Sequence, residues 1–112
     1  MNISRINALL NIVEGIKQTN ELFALPVEWS NGFLDARDQI REAKESEKDE
    51  QGNGKGYTLL SLDSARDNLN MLSRRVQKDE SVKEHLKLLV GAQARALHCS
   101  ITEVMAHIKE SR

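Results

Sequence analysis

From Ile3 to Ile16 the apolar side chains Ile3, Ile6, Leu9, Leu10, Val13 and Ile16 recur three and four residues apart. That spacing gathers them on one stripe of a helix. The opposite positions, Asn7, Asn11, Glu14 and Lys17, are polar but lightly charged. A helix lying on an anionic membrane surface would need more Lys and Arg on that side, so the stripe is expected to pack into a protein core.

The segment ELFALPVEWSNG interrupts the rhythm, because Pro26 disfavours helix at Leu25 and suits the first turn of the next element. Leu22, Phe23, Leu25, Val27 and Trp29 are too apolar for a solvated loop and are expected to cover one end of the molecule. Trp29 would bury the largest area of any side chain there. Its other reading is that of an exposed aromatic anchor, which together with Phe23 and Phe33 would hold a protein partner.

A second helix is expected over 31–47, with Phe33, Ala36, Ile40 and Ala43 inward and a charged outer face on which Arg41 could pair with Glu45 and Lys44 with Glu47. GNGKG, Gly52 to Gly56, comes next as a break. Leu62, Ala65, Leu69, Leu72 and Val76 then predict a third helix over 62–77, with Tyr57–Leu60 as its lead-in or a short strand. Ser81 with Glu84 forms a capping-box pattern that would open a fourth helix facing inward through Val82, Leu86, Leu89, Gln93 and Leu97. A second such pattern, Ser100 with Glu103, predicts a restart near His98 and Cys99, with Ile101, Val104, Met105 and Ile108 lining a last short helix.

Together these predict an all-α fold, a small helical bundle of four to five helices able to pair as a homodimer. The 112 residues are a single-domain length. They read as one helical domain over 1–112, in which a flexible linker near 48–56 separates an N-terminal helical pair from a C-terminal helical segment. Only four residues are aromatic, so the core must be built from Leu, Ile, Val, Ala and Met.

Charge changes the picture only when the halves are separated. The net charge of −1 supplies no general field for nucleic acid or anionic membrane. Residues 1–50, however, carry −4 and residues 51–112 carry +3. Cys99 is the only cysteine, which rules out an intrachain disulfide and suits a reducing, cytoplasmic setting. No basic leader with an unbroken apolar run opens the sequence, and no apolar segment approaches the ~18 residues of a membrane span. An exported or inserted chain is therefore not expected.

The candidate chemistry is thin. GNGKG lacks the glycine spacing of a phosphate-binding loop, and Lys55 is followed by Gly56 where that motif needs Ser or Thr. Cys99, Glu103 and His107 fall four apart and would share one face of an unbroken helix. Three groups in one row cannot surround a tetrahedral ion, and His85 and His98 have no spacing that recommends them. A small buried Cys is the ordinary reading. The carboxylates are spread over charged faces, and the serines lack a nucleophile elbow. No enzyme, metal or cofactor is expected.

One stretch, ARALHCSITEV over 94–104, resembles the helix-turn-helix of small phage-type repressors: Ala94, Leu97, Ser100 and Val104 fall where that motif usually holds Ala, Leu, Ser and Ile or Val. The resemblance covers about eleven of 112 residues. It departs from the motif at His98, where the turn favours glycine, and at Glu103 and Glu110, which would face phosphate. A similar arrangement takes YTLLSLD as the strand of a ribbon-helix-helix dimer, although few of its side chains suit base reading. The resemblance implies base contacts from Thr102, His107, Lys109 and Arg112, with Arg74, Arg75 and Lys78 on phosphates.

The leading expectation is a regulatory or adaptor protein acting through protein–protein interaction, with a partner of unknown identity and with self-pairing through the first helix. DNA binding through a helix-turn-helix-like segment at 82–110 is the alternative.

Overall fold

The computed structural model describes residues 2–48 and 54–110, and among them the chain forms four helices: α1 Asn2–Asn20, α2 Val27–Glu47, α3 Gly54–Lys78 and α4 Glu84–Glu110. Each helix packs on its neighbours in a closed ring, α1 on α2, α2 on α3, α3 on α4 and α4 on α1. Contacts between the helices set their directions. The start of α1 meets the end of α2, where Asn2 Nδ2 donates to Glu47 Oε1 at 2.8 Å. The start of α3 meets the end of α2, where Thr58 Oγ1 donates to the Ala43 carbonyl at 3.5 Å. The end of α1 meets α4 near its start, where Gln93 Nε2 donates to Asn20 Oδ1 at 2.9 Å. The result is an antiparallel up-down-up-down bundle, 49 Å long and 22 by 18 Å across.

The expected stripes supply most of the interior. Ile6, Leu9, Val13 and Ile16 of α1 are buried, while Ile3 and Leu10 are half-buried at the margin. Every inward position expected for the second and third helices is buried. The two helices approach closely at Gly32, where a Cβ would lie 2.9 Å from Leu72 Cδ1 and 3.1 Å from its Cγ. Leu72 is itself buried, so the whole side chain would have to shift. Gly32→Ala is therefore expected to destabilise, because overpacking of about 1–3 kcal/mol outweighs the roughly 1 kcal/mol that alanine gains in a helix. Gly15, exposed on α1, has nothing within 4 Å of an added Cβ. Gly15→Ala should stabilise by about 0.5–1 kcal/mol. Urea midpoints of the two variants that move in the same direction would contradict this account.

Two helix starts differ from the sequence expectation. Helix α2 starts at Val27 rather than 31, because Pro26 serves as its N-cap residue and its carbonyl accepts from the Trp29 and Ser30 amides at 3.0 and 3.5 Å. Helix α3 starts at Gly54 rather than 62. Tyr57–Leu60 are therefore helical, and no strand occurs among the described residues. The glycines at 54 and 56, expected in a linker, lie in the first turn of α3, while residues 49–53 lie outside the described residues. Fully buried Thr58 and partly buried Leu59, packed on the core, explain the extension: tertiary contact outweighs about 1 kcal/mol of helix cost per glycine.

Helix α4 brings the largest correction. It opens at Glu84 and continues without a break to Glu110. Ser81 does not cap it; its amide and hydroxyl both donate to Asp79 Oδ1, and the Lys83 carbonyl receives the first helical amides, Leu86 at 3.0 Å and Lys87 at 3.3 Å. The inward face is Val90, Ala94, Leu97, Ile101, Val104, Met105 and Ile108. Val82, Leu86, Leu89 and Gln93, expected inside, are half-buried. Ion pairing on α2 also differs: Arg41 approaches Asp38 at 4.0 Å and Glu45 pairs with Lys48 at 3.3 Å.

Candidate functional site

The end of the bundle where α1 stops and α2 begins is built by local chemistry. After Asn20 the backbone tightens, the Leu22 amide donating to the Thr19 carbonyl at 3.2 Å and the Phe23 amide to the Asn20 carbonyl at 3.1 Å. Pro26 keeps Leu25 out of helical geometry. Leu25 turns onto the core, while Leu22 is left 82% exposed, Phe23 39% and Val27 65%. Antiparallel packing brings the α3–α4 connection to the same end, where Leu88, in the second turn of α4, is 63% exposed.

A cavity of about 270 Å³ opens here between α1, the loop and the first turns of α2. Its lining includes buried Val13 and Phe33, half-buried Leu25, and Phe23, Lys17 and Glu21, which are exposed. Engineered apolar cavities of about 150 Å³ hold benzene, so this space accepts one large apolar group and not a nucleotide-sized molecule. Beside it, Asn20 is almost fully buried and accepts from Gln93. Gln93 Oε1 is a buried acceptor without a protein partner.

The three aromatic residues expected to anchor a partner divide. Trp29 and Phe33 are each only 2% exposed and belong to the core. Neither is offered to a partner, because α2 starts early enough to turn Trp29 inward. Phe23 alone stays at the surface, on the lip of the cavity.

The residues expected to contact DNA are not brought together. Arg74, Arg75 and Lys78 are exposed on the last turns of α3, at the loop end. His107 and Lys109 are exposed on the last turn of α4, at the other end of a 49 Å bundle. Thr102 is held by its neighbours, its Oγ1 donating to the His98 carbonyl at 3.0 Å and accepting from Arg66 Nη1 at 3.2 Å. Arg112 lies outside the described residues. The unbroken α4 removes the turn that the helix-turn-helix resemblance requires.

The chain matches no protein-family model, no curated protein and no solved structure. Only the geometry of this chain bears on its function.

Cys99, expected to be buried, is exposed, as are Glu103 and His107. Successive groups four residues apart stand about 6 Å from one another along a helix, too far for three to meet at one ion. Among the described residues no group of three potential ligands could hold a metal.

The carboxyl of Asp79 closes the turn between α3 and α4, accepting from the Ser81 amide at 2.9 Å and from the Ser81 hydroxyl. The hydroxyl and then the amide hold that carboxyl below the usual Asp value. Because the folded value is depressed, the stabilisation of this turn is present above the ordinary Asp pKa and is lost as pH falls through the lowered one. NMR titration of the carboxyl should give a midpoint below the model-peptide value, and Ser81→Ala should raise it. An unchanged midpoint in that variant would show that the serine is not the cause.

Proposed function

We propose that this chain is a protein-docking module whose contact surface is the loop end of the bundle. The observation that carries the reading is the combination of a single-group cavity with a surrounding apron of exposed apolar side chains, Leu22, Phe23 and Val27. Such an apron would remain wet around a small free ligand, whereas a partner that fills the cavity with one large apolar side chain would cover it. A desolvated anchor ringed by weaker contacts is the usual energetic layout of a protein interface. Leu22 and Val27 then act by excluding water, and Phe23 by packing on the anchor.

A regulatory or adaptor role in the cytoplasm fits this surface. An exposed lone thiol such as Cys99 suits a reducing compartment. No described helix is long and apolar enough to cross a membrane.

The test is Phe23→Asp. Phe23 contributes modestly to the interior, so the variant should keep the helical circular dichroism of the parent. Cross-linking in native extract, read by mass spectrometry, is expected to show a partner retained by the parent and lost by the variant, with cross-links mapping to Lys17 and neighbouring residues. Identical partner sets for the two proteins would remove this surface from the reading.

A further inference from the structure

The cavity at the loop end has an apolar wall and a mouth of mixed sign. Val13, Leu25 and Phe33 form the wall, with Phe23 on the lip. The charged residues of the lining are Lys17 and Glu21; both are exposed, and neither enters a salt bridge among the described residues. The neighbouring acids Glu14 and Glu28 lie off the lining, and Glu14 accepts from Gln18 at 3.5 Å. Because the Glu21 amide still donates to the Lys17 carbonyl at 3.0 Å, the two side chains stand one helical turn apart, about 6 Å.

A third polar group belongs to the wall itself. Asn20 lines the cavity and is only 7% exposed. Its Oδ1 accepts from Gln93 Nε2 at 2.9 Å, while its Nδ2 has no partner among the described residues. One end of the amide serves Gln93, so the other is left over for the cavity. A nearly buried donor of this kind calls for an acceptor.

We infer that this cavity binds a free, zwitterionic amino acid with a large apolar side chain. The side chain fills the chamber, the carboxylate meets Lys17 and the Asn20 amide, and the ammonium meets Glu21. Both charges of such a ligand sit on one carbon, so the groups that receive them must converge within a single helical turn, as Lys17 and Glu21 do. A simple carboxylic acid would leave its charge beside Glu21 unanswered, and an amine would do the same beside Lys17. Size agrees: a 150 Å³ cavity holds benzene, so by proportion about 270 Å³ holds roughly eleven non-hydrogen atoms. Leucine and phenylalanine are of that size. The inference goes beyond the docking reading, since an internal side chain of a protein partner supplies the apolar group but neither charge, and it holds with no partner present.

A ligand this small at an open mouth binds in roughly the millimolar range. Nuclear magnetic resonance titration of the ¹⁵N-labelled full chain with L-phenylalanine, to about 10 mM, tests the site. Saturable shifts are expected for amides between residues 13 and 34, with binding about three- to fivefold tighter than that of 3-phenylpropionate or phenethylamine, each of which keeps one charge. Lys17→Met should abolish the preference over phenethylamine, and Glu21→Gln the preference over 3-phenylpropionate, both with unchanged circular dichroism. Absence of saturable shifts with phenylalanine and with leucine overturns the inference, as do singly charged analogues that bind as tightly as the amino acid, or variants that keep the parent's preferences. If the amino acid fails while Phe23→Asp still loses a cross-linked partner, this site falls and the docking reading stands; if it binds while the partner sets are identical, the reverse holds.

Discussion

Trp29→Ala is expected to remove about 3–5 kcal/mol of folding stability, the usual range for truncating a large buried aromatic side chain. The residue is only 2% exposed although it stands three positions into α2. Removing the indole leaves a cavity near the loop end, where the short α1 and the irregular 21–26 connection offer little to collapse into it. Small domains have about 5–15 kcal/mol in total, so a loss of this size is a large fraction of the whole. At roughly 4–8 °C per kcal/mol, it should appear as a steep fall in melting temperature. Leu22→Ala at the same end removes a side chain that is 82% exposed and should change stability by no more than about 0.5 kcal/mol. Trp29 is the only tryptophan, so its fluorescence reports the same fact directly: blue-shifted in the native protein and red-shifted in urea. A native spectrum already at the solvent-exposed position would place the indole outside the core.

Cys99→Pro has the second large effect. It falls near the middle of α4, which runs unbroken from Glu84 to Glu110. Proline there removes the amide that would bond to the Arg95 carbonyl, and its ring clashes with that same carbonyl, at a cost of about 3 kcal/mol or more. Cys99→Ala controls for the loss of the exposed thiol and should be neutral or slightly stabilising, since alanine is the better helix former. If the helix ended near His98, as the Ser100–Glu103 pattern suggests, proline at 99 would fall in a turn and be tolerated. Urea unfolding of the two variants distinguishes the alternatives, and a proline variant as stable as the parent would show that α4 is two helices.

The break does not form because burial outweighs capping. A capped start is worth about 1 kcal/mol. One continuous helix keeps Val90, Ala94 and Leu97 on the same inward face as Ile101, Val104, Met105 and Ile108, all of them buried. Each large side chain contributes about 1.5–3 kcal/mol on burial, and a turn at His98 would rotate one set away from the core. Packing wins by several times. At Ser81 and Glu84 the cap is lost for a different reason. Asp79, two residues upstream, captures both donors of Ser81, and a nearby competing acceptor is hard to weigh from spacing alone.

The candidate site was partly legible. Leu22, Phe23, Leu25, Val27 and Trp29 could be recognised as covering one end, because Pro26 and the loss of helical rhythm set them apart. Which of them would be spent inside was not legible: Trp29 and Leu25 turn to the core, whereas Leu22 and Val27 do not. Leu88 carried no signal at all. Its neighbours Leu86 and Leu89 were read as an inward face, and only the true inward line through Val90 and Ala94 leaves Leu88 outside.

The period of the apolar residues by itself determined that this chain is helical, and it placed nearly every buried residue of α1, α2 and α3. That works because a helix which hides one stripe must repeat that stripe every three or four positions, whatever it packs against. The tertiary structure decided where α2 and α3 begin, which side of α4 faces inward, and which apolar side chains from distant parts of the chain come to one end. Those outcomes depend on area buried between helices, and neither spacing nor a local cap records what a second helix will cover.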